Sequence, residues 1–447
     1  MQKQWSRVFA LTLGVPLLLS LLVACGAGTT TSTQATKTIK IGSDFPVSGS
    51  DESNGLPAQN GIQYAVDEAN SQNFLPGYKF VLEHMDDVGP SGAHDSAVAL
   101  KNYESLIGDA AVAGVVGPLN SSIAQAVMST ANQAPIAMIS PANTNDCLTQ
   151  DTPSYECSGS NELVQKLRPT GSVTYFRTAT LDQYQGGALA DYAYKTLKYR
   201  NAYVIDDTET YGSGLATNFI HFFQLDGGTI LDHQSVKVQS DYSNVLTTVA
   251  AKKPDLIFFG GNDSTGGTTI REQMKKTAGL ENTPFMLGDG SKTSDFAKSV
   301  IPLAGGPVYG SVPGADASQV STAKAFLDGY QKKYGNPGAY SGGGYDDAWI
   351  LIKAVKAAID KQANPPANSN AGAAQAKIFR LAVIDALKQT DYDGVTGHQS
   401  FDANGDTTNK SISIYTLGKV GVGDGWKYLT SVSPASVTAT PTSTSKS

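Results

Sequence analysis

From about Thr38 onward, short apolar runs alternate with longer stretches whose apolar positions recur at helical spacing. The runs 39–42, 78–85, 112–116, 135–139 and 173–177 read as strands, each closed by glycine, proline or small polar residues. Between them, 55–70, 94–107 and the segment opening at Ser121-Ser122 read as helices. The same grammar then restarts. Helices are predicted over 183–197, 211–225, 242–251 and 266–277, and strands over 202–205, 230–238, 256–260, 285–287 and 308–312. Strands separated by helices of this length predict α/β architecture, with parallel sheets covered by helices on both faces. Two runs of the pattern predict two similar lobes. Three further helices follow, at 318–334, 345–361 and 374–389, with the polar insert 362–373 between the last two. The strands 399–402 and 412–417 flank Asn404-Gly405-Asp406 and predict a terminal β-hairpin. Residues 431–447 carry no apolar periodicity and are expected to be a disordered tail.

One stretch concentrates candidate chemistry. The strand 112–116 stops at Gly117-Pro118, and Ser121-Ser122 stand before Ile123-Ala124-Gln125-Ala126-Val127, so either serine could cap that helix. The next strand ends in Ser140-Pro141-Ala142-Asn143-Thr144. Two hydroxyl-bearing loops thus follow two successive strands of a βαβ unit, at the sheet edge where open α/β folds bind ligands. Free N–H groups and hydroxyls at a helix N-terminus suit an anion such as a carboxylate. Capping alone explains an isolated Ser-Ser pair; two such loops at one edge favour a site.

The first residues belong to neither lobe. Lys3 and Arg7 precede the apolar run 8–23, a signal-peptide pattern. It ends in Leu22-Val23-Ala24-Cys25, which resembles a bacterial lipobox, and that resemblance implies cleavage of residues 1–24 and lipidation of Cys25. Removing Lys3 and Arg7 from 33 basic residues leaves 31 against 40 acidic ones, a net charge of −9. No basic patch stands out, so nucleic acid is not an expected partner. Residues 25–37 are small and polar, a flexible tether. With Cys25 assigned to lipid, Cys147 and Cys157 remain, and export favours a disulfide between them. No histidine or further cysteine stands near them at metal-ligand spacing.

Several marks, in order, carry a resemblance to a family. They are Ile39-Lys40-Ile41-Gly42 with Pro46-Val47-Ser48-Gly49, then Asp86-Asp87, then the two loops at 117–122 and 139–145. Arg177-Thr178-Ala179, Asp182 with Gln185-Gly186, and Tyr211-Gly212-Ser213-Gly214 follow. Tyr345-Asp346-Asp347-Ala348 and Phe401-Asp402-Ala403-Asn404-Gly405-Asp406 close the set. Together they resemble the type I periplasmic binding proteins that serve ABC transporters for branched-chain amino acids, over about residues 38–429. The resemblance implies two Rossmann-like lobes joined by a three-crossover hinge, closing on a ligand. Its lobes would be 38–180 with 314–392, and 181–313 with 393–430. It also implies an extracytoplasmic, monomeric protein, lipid-anchored to the bacterial cell membrane, that delivers a small amino acid to permease subunits. A short amide or urea-type solute, or a sensory role, is the alternative.

Carried over by the same resemblance, the ligand carboxylate would meet Ser121, Ser122, Asn143 and Thr144, and the ammonium would meet Asp289. Tyr211, Asp182 and Asn262 would also face the cleft. Asn262 departs from the family, which often has an aromatic there. The loop Ser50-Asp51-Glu52-Ser53-Asn54 is more acidic than a leucine pocket would want and reads as a solvated rim. No enzyme motif competes. Gly288-Asp289-Gly290-Ser291-Lys292-Thr293 lacks the Gly-Lys pair of a phosphate loop, and no G-x-S-x-G or H-E-x-x-H occurs. Asp402-x-Asn404-x-Asp406 lacks the glycine and glutamate of a calcium loop, so a hairpin turn is expected there. Neither a cofactor nor a metal is expected, and a Rossmann-type enzyme is the reading with least behind it.

Overall fold

The computed structural model describes residues 37–150, 157, 161–419 and 423–433. The signal segment 1–24, Cys25, the tether up to residue 36, and residues 434–447 of the expected tail lie outside the described residues. The chain begins with β1 (Lys37–Phe45), α1 (Glu52–Ser71), β2 (Tyr78–Asp86), α2 (Ser96–Gly108) and β3 (Val112–Val116). It continues through α3 (Ser121–Gln133), β4 (Ala137–Ser140), α4 (Asn161–Leu167) and β5 (Tyr175–Arg177). These strands form one parallel sheet in the order β2-β1-β3-β4-β5. Every residue of β3 is buried. Ala113 and Val116 join the core on one face, Val112 and Val115 the core on the other. A central parallel strand covered on both faces has no wet side, which is why its sequence is continuously apolar.

The chain then builds a second sheet. Its parts are α5 (Asp182–Asp191), β6 (Asn201–Asp206), α6 (Thr210–Leu225), β7 (Thr229–Ser235) and α7 (Ser243–Lys252). After them come β8 (Leu256–Gly260), α8 (Gly267–Met274), β9 (Phe285–Leu287), α9 (Ser294–Val300) and β10 (Val308–Pro313). Three helices return to the first sheet: α10 (Lys324–Tyr334), α11 (Ser341–Asp360) and α12 (Ala373–Leu387). Leu351 of α11 and Val383 of α12 share a core with Ile39 and Ile41 of β1. The small hairpin of β11 (Tyr392–Gly394) and β12 (Gly397–Gln399) leads back to β13 (Ile412–Leu417) and β14 (Trp426–Val432). The second sheet runs β14-β13-β10-β9-β8-β6-β7, parallel from β10 to β7 and antiparallel at β13 and β14. The backbone therefore crosses between lobes three times: after β5, after β10 and after α12.

Four expectations are corrected. The hairpin expected between 399–402 and 412–417 does not form, because β13 pairs with β10 and β14. Asn404-Gly405 instead turns a small loop closed by the Phe401–Thr407 bridge. β14 carries ordered chain to Val432, two residues into the expected tail. α10 begins at Lys324 rather than 318, after two single 3-10 turns. α11 begins four residues early, through Gly342-Gly343-Gly344, against their low helix propensity. Close approach explains this: a Cβ at Gly343 would lie 2.8 Å from Pro141 Cβ, in the loop after β4.

Candidate functional site

Asp289 stands in the first turn after β9 and is 1% exposed. Its Oδ1 accepts from the Tyr211 hydroxyl at 2.7 Å and from Gln185 Nε2 at 2.8 Å; its Oδ2 accepts from the Tyr340 hydroxyl at 2.7 Å. Tyr211 comes from the first turn of α6 and Gln185 from α5. Tyr340 reaches over from the other lobe, at the N-cap of α11. Burial pushes the Asp289 carboxyl up from its ordinary value, and the three donors only partly offset this. All three are neutral, so the site lacks a positive partner for that carboxylate.

Across the cleft, α3 starts without a side-chain cap. Asn120 occupies the N-cap position, not Ser121 or Ser122, and its side chain bonds none of the helix N–H groups. Ser140 Oγ donates to the Pro118 carbonyl at 2.7 Å and accepts the Asn143 N–H at 3.0 Å. Asn143 Nδ2 donates to the Leu119 carbonyl at 2.7 Å, and Asn143 Oδ1 accepts from the Tyr175 hydroxyl at 3.1 Å. The two hydroxyl-bearing loops are thus tied to each other by hydrogen bonds.

Between the lobes lies a small cavity, lined by Leu119, Asn120, Ser121, Ala142, Tyr211, Asn262, Asp289 and Tyr340. Of the eight ligand residues expected from sequence, Ser121, Tyr211, Asn262 and Asp289 line it. The other four do not. Ser122 is half-buried and faces Glu209. Asn143 is occupied in joining the two loops. Thr144 accepts the Asp182 N–H on its carbonyl at 2.8 Å. Asp182 is buried behind it, and that burial pushes its carboxyl well up. A larger cleft also borders Tyr340. Its cation, Lys292, is already paired with Asp424 at 2.7 Å and lies over the Tyr415 ring at 4.3 Å. The smaller cavity is the candidate site, since the uncapped start of α3 and the unneutralised Asp289 carboxylate both line it.

The loop expected to be a solvated rim is one only in part: Ser50 and Glu52 are exposed, while Asp51 and Asn54 are buried. Asp51 is 1% exposed, and Asn54 donates to the Gly290 carbonyl across the cleft at 2.9 Å. Asp51 accepts from the Ser264 hydroxyl of the second lobe and sits 2.8 Å from His94 Nδ1. His94 Nε2 in turn faces Glu209 of the second lobe at 4.0 Å. Burial opposes the charge on His94, but the bonds to Asp51 and Glu209 raise its pKa to about 10. His94 holds Glu209 below the usual carboxylate range. The buried Asp87 carboxyl also faces His94, pushed up by its own burial.

These groups latch the lobes shut with a cationic histidine. Glu209→Gln is therefore expected to weaken ligand binding about two- to fivefold at neutral pH, the range of a partly exposed ion pair. The gap should narrow in 1 M salt. The pair acts while both groups are charged: it is lost as pH falls through the depressed Glu209 value, and also as pH rises through about 10, the raised His94 value. Titration calorimetry at low and high salt checks this. Equal affinities for both proteins at low salt would refute it.

Gln185, Tyr340, Asn120 and the Asp51–Asn54 loop were not picked out as ligand residues from sequence. A run of three glycines opening α11 was the available signal for Tyr340. Cys147 is bonded to Cys157, with Cα atoms 5.2 Å apart, in the turn that follows Asn145. Among the described residues no group of three or more His, Cys, Asp or Glu could hold a metal ion. Asp402 Oδ1 accepts the N–H groups of Asn404 and Asp406, so that motif is a turn. No helix among the described residues is long and apolar enough to cross a membrane.

Two α/β lobes, three crossovers and a polar cavity at the strand ends define a cleft-closing binding protein. The chain belongs to the periplasmic binding protein family, whose profile matches residues 38–421. It is 27% identical over 379 residues to a Leu/Ile/Val-binding protein of Rhizobium johnstonii, covering 84% of this chain and 91% of that one. It is 25% identical over 361 residues to the leucine-specific-binding protein of Salmonella typhimurium, covering 80% and 84%. Among solved structures, a leucine-binding protein of Thermotoga maritima superposes with a TM-score of 0.70 at 21% identity, over 89% and 99% of the two chains. A branched-chain amino acid transporter substrate-binding protein of Streptococcus pneumoniae, in complex with isoleucine, gives 0.66 at 25% identity, over 88% and 99%.

Proposed function

We propose that the cleft captures an α-amino acid and delivers it to the permease of an ABC transporter. One observation carries this reading: the uncapped start of α3, with Ser121, faces the buried Asp289 across the cavity. Neutral donors at a helix N-terminus hold a carboxylate. A buried carboxylate without a cation calls for an ammonium. A molecule with both ends satisfies both lobes only when they are closed, so it favours closure. The names of the relatives, which bind leucine, isoleucine and valine, support the same chemistry.

A thermal-shift screen with the amino acids and with small amides tests the reading. At a hundredfold excess over Kd, a ligand that binds only the folded state stabilises it by about 2.7 kcal/mol. Amino acids should raise the melting point and amides should not; a response to amides alone would overturn the assignment.

Family membership supports a site of action outside the cytoplasm. The anchoring is our further reading, resting on Leu22-Val23-Ala24-Cys25. In it Cys25 carries the lipid, and the body works as a monomer at the membrane surface. Cys25→Ala should abolish labelling by a fatty-acid probe and leave the protein unprocessed or released. Unchanged labelling would refute the anchor.

A further inference from the structure

Asn120 occupies a position at which asparagine ordinarily caps a helix, yet it caps nothing. Its side chain lines the cavity, it is 6% exposed, and its Oδ1 has no hydrogen-bond partner. A buried amide oxygen left unpaired is costly, so its placement points to a partner that enters the cavity. The remaining walls offer little to an aliphatic side chain. Only Leu119 and Ala142 are aliphatic there, and the Tyr211 and Tyr340 hydroxyls are both directed at Asp289. A second amide, Asn262, forms another wall; its backbone N–H and carbonyl are bonded to Thr265.

We infer that the preferred ligand is a small α-amino acid whose own side chain carries a hydroxyl or amide donor, and that Asn120 Oδ1 reads that donor. This rests on the proposed function, in which Asp289 takes the ammonium on the opposite lobe. Asn120 then lies at the carboxylate end, beside Ser121, where the unread atom of the ligand is its side chain. A site built to bond a polar group discriminates strongly against an isostere lacking it.

Titration calorimetry of the purified protein with three near-isosteric pairs tests this: threonine against valine, asparagine against leucine, serine against alanine. In at least one pair the polar member is expected to bind about tenfold or more tightly, the effect of one unmade buried hydrogen bond. Asn120→Leu should collapse that ratio, and Asn120→Ala serves if the leucine variant does not fold. Tighter binding of valine, leucine and alanine than of their polar partners by the parent would overturn the inference and leave amino-acid capture standing. An unchanged ratio in the Asn120 variant would also overturn it. Binding of no α-amino acid at all would overturn the proposed function, and this inference with it.

Discussion

Replacing Asp289 by asparagine is expected to lower affinity for an α-amino acid by about 2–5 kcal/mol, the range for removing one member of a buried, hydrogen-bonded charge pair. That is a loss of roughly thirty- to several-thousand-fold. The substitution keeps shape and removes charge. Two of the three donors around Asp289 are hydroxyls, which can rotate to accept from an amide. The ligand ammonium cannot make that adjustment and loses its only counter-charge in the cavity. Folding should respond differently from binding. Since burial raises the Asp289 pKa, its charged form costs stability; that cost grows as pH rises above the ordinary carboxylate value and levels off above the folded-state value. The ligand-free variant should therefore melt no lower than the parent at neutral pH, while its ligand-induced shift largely disappears. Calorimetry with the best amino acid of the screen provides the measurement. An affinity within about threefold of the parent, well under 1 kcal/mol, would remove Asp289 from the site.

How much of this was legible in the sequence depends on how local each cause is. The buried strands β3 and β8 are continuous apolar runs whose neighbours supply no alternative, and they stand at the residues expected. Asp289 was singled out only through the family resemblance; by itself it reads as a turn aspartate beside glycine. Other features have distant causes. Asp51 reads as solvated because acidic residues mostly are, yet its partners His94 and Ser264 lie 43 and 213 residues away. Folding of the first lobe brings His94 to it, and only closure of the cleft brings Ser264. Ser121-Ser122 drew attention as caps, while the residue before them holds the N-cap position. The strength of Asn404-Gly405 as a turn signal suggested the wrong hairpin, because the partner of β13 is chosen by the free edge of β10 and not by the nearest turn.

The other large effect concerns Arg177, at the end of β5, whose side chain is fully buried. Its Nε donates to Asp406 Oδ1 at 2.7 Å, and its Nη1 to the carbonyls of Asn143 at 3.1 Å and Asn145 at 2.7 Å. Asp406 Oδ2 further accepts from Thr149 Oγ1 at 2.9 Å and Gln150 Nε2 at 2.7 Å. Burial works against the guanidinium charge, and the Asp406 carboxylate more than restores it. The pair thus joins the end of the first sheet, the loop behind the carboxylate site and the chain leading to β13. Arg177→Met should destabilise the protein by about 3–5 kcal/mol, because it strands a buried carboxylate and two loop carbonyls at once. The double variant Arg177→Met/Asp406→Leu should recover part of that loss, since the lone charge is gone, but not all, since the carbonyls of Asn143 and Asn145 still lack donors. Urea unfolding of both variants gives the comparison. Because the loop at 140–145 hangs on Arg177, any folded fraction of the single variant should also bind its amino acid more weakly. A loss below about 1 kcal/mol, as for an exposed ion pair, would show that the loop keeps its shape without this pair.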